Sequence, residues 1–507
     1  MSSSAPRRPA PPLRATPTRI ASLATSTLST LSTPSTRPKS ARPLAHLASA
    51  DENHDGTRDT DAPGTHDPST DASEVCADTR TILGLAWPAL VVLAATPLYL
   101  LWDTAVVGRL GALDLAALAA GATVLSTVTT QLTFLSYGTT ARAARHYGAG
   151  RRSSAIYEGV QASWVAVGVG AVLAAIVFSF APHIMGFFSS DATVVHLATQ
   201  WMRVTCLSVI PALLVMAGNG WLRGMSNTRL PLYFTLAGVI PMAITVPWSV
   251  GRYGMVGSAY ANVFGESIIA ACFLGALVVF WRREGDGRPL SPQWNVIKAQ
   301  LTMGRDLIAR SLSFQVAFIS AAAVAGRMGS APLAAHQILL QLWNFLTLVL
   351  DSVAIAAQAL VGAALGAGSA RHARRVGNIV LRFSVAASVL LALCLGSGAG
   401  VIPRLFTQDP AVLSTMAGPW WMLVVLVLMG GVVFALDGVL LGAADVAFLR
   451  TATMVSVIVG FIPVVWMAYI FHWGLVGVWC GLLGFISIRL AAVVWRYRGS
   501  AWTDNAL

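Results

Sequence analysis

Long apolar runs recur along the chain from about residue 80 to the C-terminal end. Each holds about 18 or more residues with almost no charge, which is enough for a helix to cross the roughly 30 Å hydrocarbon layer of a bilayer. The short segments of alternating polarity that are typical of a membrane β-barrel are not seen. The pattern predicts an all-α integral membrane protein with twelve transmembrane helices, at about 83–107, 115–140, 157–180, 194–221, 232–251, 257–280, 306–326, 332–362, 377–401, 412–441, 448–470 and 474–495.

The twelve helices form two repeats. A shift of 218 residues aligns GRLGALDLAAL (108–118) with GRMGSAPLAAH (326–336), and a shift of 220 aligns GMVG with GLVG near residues 254 and 474. Because six is an even number, both six-helix repeats enter the membrane in the same sense, as in many secondary transporters with a central site between two lobes. The predicted domains are a disordered tail at 1–80, an N-terminal lobe at 81–283, a cytoplasmic linker at 284–305, a C-terminal lobe at 306–498 and a C-terminal tail at 499–507.

The charge distribution predicts the orientation in the membrane. The chain is 55% hydrophobic and 11% charged, with a formal net charge of +12. The loops that follow helices 2, 6 and 8 hold eleven arginines, whereas the odd-to-even loops hold at most one each. Because basic loops stay on the cytoplasmic side, both termini are predicted to be cytoplasmic, in a multi-pass protein of the plasma membrane rather than of an organelle. The basic charge is thereby explained without a nucleic-acid partner.

The first 80 residues differ in composition from the rest. Residues 1–50 are rich in Ser, Thr, Pro and Ala, with seven basic residues and no acidic one, and residues 51–80 hold nine acidic residues. Such a composition favours a disordered tail. Two alternatives stay open: an organelle transit peptide, which shares the Arg- and Ser-rich, acid-free character, or a natural start of translation at Val75.

Four carboxylates lie four or more residues inside the ends of the apolar runs: Asp103, Glu266, Asp351 and Asp437. A charge at the centre of a spanning helix costs at least about 2.5 kcal/mol on insertion scales, so such residues usually face an interior cavity and have a function. A low-dielectric environment favours the protonated form of a carboxylate, which can therefore bind and release a proton. Asp103 is the first candidate, with a purely structural hydrogen-bonding role as its alternative, and Glu266 is assigned to packing.

The second-lobe candidates are Asp437 and Asp351. For Asp351 an equally open alternative is a hydrogen-bonding role toward His336, Gln337 or Gln358. The five cysteines are isolated, and the sequence has no P-loop and no paired acidic or His motif in a loop. We therefore predict no enzyme activity, no catalytic residues, no cofactor and no metal site.

Several motifs together resemble the multidrug and toxic compound extrusion (MATE) transporters, and within them the DNA-damage-inducible F branch. They are DTAVVGRLG followed by LAAL, the basic GAG loop, NGWLRGMSNTRLPL, GRMGSAPLAAHQI and LDSVAIAAQALVGAALGAG, and the resemblance covers about residues 80–498. It implies a V-shaped, two-lobed antiporter that exchanges a proton or sodium ion for an outgoing compound, which is usually cationic and amphipathic.

The resemblance also implies roles for single residues. Asp103 matches the helix-1 aspartate of the family, and Pro88 matches a helix-1 proline whose bending is linked there to protonation; Pro97 is a second gating candidate in the same helix. Another branch of the family places a cation-binding aspartate in helix 10, where this chain has Asp437.

Helix 5 departs from the family pattern. Many members carry an Asn and an Asp there that join the helix-1 aspartate around the coupling ion, whereas this chain has Met242 and Val246. One carboxylate with scattered hydroxyls and amides is a poor cage for sodium. The departure favours proton coupling, or a rearranged site that recruits Asn219 of helix 4 or Gln131 of helix 2.

Aromatic residues in the helices are candidates for a substrate cavity, because they can stack on flat cations, although each can equally anchor the protein at the membrane interface. They are Tyr99, Trp102, Phe134, Tyr137, Trp343 and Phe345. The predicted function is a monomeric secondary active antiporter that exports amphipathic, cationic drugs or metabolites in exchange for protons. The alternatives are sodium-coupled export, an integral-membrane enzyme, and a flippase for a lipid-linked amphiphile, which would need a deep basic cavity.

Overall fold

The computed structural model describes residues 68–188 and 191–504, so most of the predicted N-terminal tail lies outside the described residues. Within this part, twelve helices are long and apolar enough to cross a membrane, which confirms the predicted number. In chain order they are α1 to α12, at Arg80–Val107, Ala112–Gly148, Arg152–Phe188, Ala192–Gly224, Arg229–Tyr253, Val256–Glu284, Trp294–Arg327, Ser330–Gly366, Ala370–Ser397, Pro410–Gly442, Val446–Ile470 and Gly474–Arg498.

Three of these helices contain local irregularities, and one further helix is short. α2 is interrupted at Thr133, α4 contains a 3₁₀ turn at Cys206–Ser208, and α11 contains a π-helical turn at Ser456–Phe461. A five-residue helix, Ile402–Phe406, lies between α9 and α10. Such irregular turns inside spanning helices are often found near functional positions.

Two helices extend past the predicted domain boundaries. The first helix extends back to Pro68, so residues 68–80 are helical; a proline fits the first turn of a helix, where no N–H partner is needed. α7 already begins at Trp294, inside the predicted linker 284–305. Ile297 and Leu301 recur there at helical spacing and pack on the protein core, so the segment is an amphipathic helix rather than a loop.

The backbone repeats as the sequence does. Gly150 and Gly368, which are 218 residues apart, both adopt positive φ angles of 73° and 77°. Ser226 and Ala444 have the same spacing and φ angles of 58° and 57°, a conformation that residues with a side chain rarely adopt. Equal backbone conformations at equivalent loops support the two parallel six-helix repeats.

The loops divide between the two ends of the helical bundle. The end with the loops at 149–151, 225–228, 285–293, 367–369 and 443–445 is where the arginines of the loops and of the adjoining helix ends cluster; we call it the basic face, and the other end the opposite face. These arginines include Arg151, Arg152, Arg282, Arg283, Arg288, Arg371, Arg374 and Arg375.

The two halves share a hydrophobic core only near the basic face. This core contains Ile82 of α1 together with Val361 and Leu440 of the second half. Toward the opposite face the halves have separate cores, one around Trp201 in the first half and one around Trp479 in the second. Two lobes that join at one end and keep their own cores at the other form a V.

Small residues allow the close approach at the basic face. A Cβ atom on Gly148 would overlap the carbonyl of Ala363 in the other half, and a Cβ on Gly366 would overlap the carbonyl of Arg145. Arg145 also donates a hydrogen bond from Nη2 to the carbonyl oxygen of Ala443, at 2.5 Å. Gly148 and Gly366 are partners under the 218-residue shift, so the repeat places a glycine on each side of this contact. The structure is therefore closed at the basic face.

A buried ion pair fastens α7 to the first lobe near the basic face. The Glu158 carboxylate, 3% exposed, accepts hydrogen bonds from Nε and Nη2 of Arg142, at 2.8 and 2.6 Å, and from Nε2 of Gln300, at 2.9 Å. These residues belong to α2, α3 and α7, so one carboxylate connects three helices.

We expect Glu158→Gln to destabilise the protein, because removing one partner of a buried ion pair costs about 3–5 kcal/mol. Thermal unfolding of the purified protein in detergent, followed by tryptophan fluorescence, would show a lower midpoint. Glu284→Gln is the matched control, since Glu284 is 32% exposed and 3.9 Å from Arg152, a surface pair of small value. Equal midpoints for the two variants would contradict the connecting role of Glu158.

Candidate functional site

Asp103 is buried in the first lobe with one satisfied and one unsatisfied oxygen. It lies one turn before the end of α1, near the opposite face, and is 3% exposed. Its Oδ2 accepts a hydrogen bond from the hydroxyl of Ser258 in α6 at 2.7 Å, and Ser258 Oγ accepts one from Trp201 Nε1 at 3.4 Å. Oδ1 has no hydrogen-bond partner among the described residues. An acid in this arrangement has a free acceptor on which a proton can reside.

A column of polar side chains on α6 extends from Asp103 toward the interior. Ser258, Asn262 and Glu266 are spaced by four residues and so lie on one face of the helix, about 6 Å apart per step. Tyr99, one turn before Asp103 on α1, interacts electrostatically with the carboxylates of Asp103 and Glu266. Glu266 therefore belongs to this polar column rather than to peripheral packing. The four-residue spacing of polar residues in an apolar helix is a signal that the sequence analysis missed.

The α5 positions that carry polar residues in many family members are apolar in the structure too. Met242 is 2% exposed and packs against Gly265 of α6, and Val246 is fully buried. The nearby Thr245 hydroxyl donates to the carbonyl of Met242 at 3.0 Å. The polar partners of Asp103 thus come from α6.

The structure does not bring the two predicted helpers, Gln131 and Asn219, to Asp103. Gln131 donates from Nε2 to Oε1 of Gln315 in α7, at 2.5 Å, and so joins the two lobes. Asn219 lies within two turns of Gly224, near the basic face, while Asp103 is near the opposite face. The prediction that Asn219 or Gln131 joins Asp103 is therefore wrong. Gln131 bonds to the other lobe, and Asn219 and Asp103 lie at different depths along the helical bundle.

A cavity of about 340 Å³ lies mainly in the second lobe. It is lined by residues of α2, α7, α8, α10 and α12, among them Tyr137, Trp343, Asp351 and Asp437 of the predicted site and, unforeseen, Arg310 and Arg489. Its walls are largely aromatic and aliphatic, and its charged groups come together at one place. A concave apolar site with few polar groups is the usual form of a small-molecule site.

Asp437 is held by two arginines. Its Oδ2 accepts from Nη2 of Arg310 at 2.9 Å and from Nη2 of Arg489 at 2.5 Å, and Nη1 of Arg489 donates to Thr453 Oγ1 at 2.7 Å. Thr453 lies next to the π-helical turn of α11. Neither Arg310 nor Arg489 was predicted as a site residue. Each is a charge within an apolar helix, which indicates a functional position as it does for the aspartates.

Asp351 bridges the lobes. The Tyr137 hydroxyl of the first lobe donates to Oδ2 of Asp351 at 3.1 Å. Two of the three predicted alternative partners do not hydrogen-bond to it: Gln358 donates to the backbone carbonyl of Tyr137, and both ring nitrogens of His336 lack a partner among the described residues. The described residues also contain no group of three or more His, Cys, Asp or Glu that could hold a metal ion.

Comparison with known proteins places the chain in a family. The MatE family model matches residues 88–248 and 307–467, one match in each half. The chloroplastic protein DETOXIFICATION 44 of Arabidopsis thaliana is 31% identical over 434 residues, which cover 82% of this chain and 81% of that protein. The chain belongs to the MATE family. Its resemblance to these multidrug and toxic compound efflux transporters is therefore confirmed.

Other MATE proteins match over most of their length. The DNA damage-inducible protein F of Escherichia coli is 28% identical over 440 residues, covering 83% of this chain and 94% of that protein. The crystal structure of the Vibrio cholerae MATE transporter VcmN superposes with a TM-score of 0.78 at 18% identity, covering 85% of this chain and 99% of that one. The structural match shows that the fold, with its two repeats, is that of MATE transporters.

Four of the aromatic residues predicted to line the cavity of this MATE protein lie elsewhere. Tyr99 belongs to the polar column, and Trp102 donates from Nε1 to the carbonyl of Ala243 in α5 at 2.9 Å. Phe134 is buried against Gly304 at the lobe interface, and Phe345 is 66% exposed on α8. These placements are corrections, since sequence shows that a residue is in a helix but not which way the helix faces.

The two prolines of MATE helix α1 lie within a continuous helix. Each lacks an N–H group, so the carbonyls of Gly84 and Leu93, four residues before Pro88 and Pro97, have no helical hydrogen-bond partner. Such points are where helices bend. A gating role for the two prolines stays a prediction.

Proposed function

We propose that this MATE transporter exports amphipathic small molecules in exchange for protons, with Asp103 as the coupling carboxylate. The observation that supports the proposal is the buried acid with one oxygen bonded to Ser258 and the other without a partner among the described residues. A proton on the free oxygen would neutralise the acid without breaking the contact to Ser258. The column on α6 would then carry the change in charge into the lobe.

The surroundings of Asp103 support a proton over a sodium ion. A hard cation needs several oxygen ligands around one point. Ser258, Asn262 and Glu266 are instead spread along a helix, with successive steps of about 6 Å, and α5 contributes Met242 and Val246 rather than oxygens. Proton transfer needs only one acid and a path of polar groups.

Swapping ion gradients tests the coupling. Purified protein in liposomes would receive a proton gradient or a sodium gradient of equal size, and uptake of amphipathic dyes of either charge would be followed by fluorescence. We expect the proton gradient alone to drive accumulation, and an ionophore that collapses it to stop the transport. Accumulation driven by sodium at constant pH would refute proton coupling.

The cargo is taken up by the second-lobe cavity in our proposal, because the cavity combines aromatic walls with a small charged group. A single chain supplies both lobes and the cavity, which supports a monomer as the transporting unit. The sequence resemblance implies a cationic cargo. The charged residues that line this cavity, two arginines and two aspartates, determine which sign of charge the cargo carries.

We also propose that the basic face is cytoplasmic and that the protein resides in the plasma membrane. The arginines in the loops and adjoining helix ends of the basic face support this orientation. The structure, closed at the basic face, would then be open to the outside. Relatives include both a bacterial protein and a chloroplastic one, and the residues in which a transit peptide would lie are outside the described part.

A further inference from the structure

Two guanidinium groups of the second-lobe cavity share a single carboxylate oxygen. The side chains of Arg310 and Arg489 are 14% and 1% exposed, and both donate to the same oxygen of Asp437. One carboxylate thus serves two arginines. Its other oxygen, Oδ1, and the Nε atoms of both arginines have no partner among the described residues.

The second aspartate of the cavity is balanced from elsewhere. Asp351 interacts electrostatically with Arg223, a buried residue of the first lobe, as well as with Arg310. Over this group of five described residues there are three arginines and two aspartates. Arg223 does not line the cavity, so the surplus of one positive charge belongs to the buried group as a whole, where an uncompensated charge is costly.

The chemistry of the surplus charge favours an anion. A guanidinium presents five N–H donors in a planar fork that matches a carboxylate, sulfonate or phosphate group. Phe314 lies beside both arginines, with its ring centroid 5.7 Å from Arg310 Cζ and 4.5 Å from Arg489 Cζ. Trp343 and Phe434 continue the apolar wall, so the cavity offers a charged end and an aromatic body.

We propose that this cavity binds the anionic group of an amphipathic substrate through Arg310 and Arg489, with the apolar part of the substrate against Phe314, Trp343 and Phe434. Asp437 accepts from both guanidinium groups, and a bound anion would replace it on one of them. The inference rests on the proposed export function and specifies its substrate class as amphipathic anions rather than cations.

The test compares two probes that differ only in their charged group. Pyrenebutyrate and pyrenebutyl-trimethylammonium share the aromatic body, and their binding to the purified full-length protein in detergent is measured by energy transfer from tryptophan, with N-acetyltryptophanamide in the same detergent as the baseline. We expect the carboxylate to bind more tightly by roughly tenfold or more, as for a charge-assisted bond. Equal affinities, tighter binding of the ammonium probe, or no saturable binding of pyrenebutyrate would overturn the inference.

Substitutions that are expected to change the affinity in opposite directions distinguish loss of the binding site from misfolding of the protein. Arg310→Gln and Arg489→Gln should each weaken pyrenebutyrate binding by roughly tenfold. Asp437→Asn removes the internal competitor and should tighten binding. Arg305→Gln is the matched control on the same helix, since the Arg305 side chain is 71% exposed and does not line the cavity. Unchanged affinity in both arginine variants would refute the site even if Asp437→Asn behaved as expected.

The same binding assay separates this inference from the proposed coupling. It uses no ion gradient, so Asp103→Asn should bind pyrenebutyrate as the wild type does, and a failure of proton-driven transport would leave the binding result unaffected. Competition identifies the source of the anion. Displacement by phosphatidylglycerol in mixed micelles would support a lipid headgroup, and displacement only by soluble carboxylates would support a soluble metabolite or drug.

Discussion

Replacing Asp103 with asparagine is expected to abolish proton-driven transport and leave the protein folded. Asparagine has nearly the same shape, and its amide oxygen can still accept the hydrogen bond that Ser258 donates at 2.7 Å. It cannot bind and release a proton, so the exchange of a proton for cargo would stop. Uptake into liposomes under a proton gradient should fall to the level of protein-free liposomes.

The matched control is Asp114→Asn. Asp114 is a half-buried carboxylate in the first turn of α2, also near the opposite face and outside the polar column. This variant should transport as the wild type does, and both variants should unfold at the wild-type temperature. Proton-driven accumulation by Asp103→Asn at the wild-type rate would rule out Asp103 as the coupling group.

Replacing Gly366 with valine is expected to prevent closure at the basic face. Any Cβ atom at Gly366 would overlap the carbonyl of Arg145. Likewise, a Cβ atom at Gly148 would overlap the carbonyl of Ala363. Because these contacts join backbone to backbone across the two halves, neither side can make room by turning a side chain. The variant should therefore remain open at the basic face and lose nearly all transport.

Accessibility of an introduced cysteine measures this opening. Ala363→Cys, next to the contact, should react with a membrane-impermeant maleimide much faster in the Gly366→Val background, and only when the reagent is on the side of the basic face. Labelling from the cytoplasmic side would also establish the proposed orientation. Gly275→Val is the control, since a Cβ at Gly275 on α6 meets nothing within 4 Å. Normal transport by Gly366→Val would show that the glycine contact does not form during the cycle.

The number of membrane-spanning helices was predicted correctly from the sequence, but the residues at which some of them begin were not. All twelve spans were predicted, because a bilayer requires about 20 apolar residues in each helix. The start of α7 was missed, since Ile297 and Leu301 form the apolar face of an amphipathic segment outside the apolar run. Hydropathy detects contact with lipid, and this segment contacts protein.

The candidate site was predicted in part, for a similar reason. Asp103, Asp351 and Asp437 stand out because a charge in a spanning helix is costly. Arg310 and Arg489 carry the same signal and could have been found in the same way. The hydrogen-bond partners of these residues could not be predicted from the sequence. Two polar groups on different helices meet only if both helices are rotated so that the groups face each other.

By itself, the sequence determined the number of spans, the repeat of two six-helix halves and the presence of an acid in the first helix. These follow from local properties, namely the length of the apolar runs, the spacing of identical motifs and the rarity of buried charge. Only the tertiary structure decided that Asp103 meets Ser258, 155 residues later, and that Asp437 meets Arg310 and Arg489. The physical reason is that the rotation and close approach of spanning helices depend on side-chain packing at positions such as Gly265 and Gly366, which hydropathy does not record.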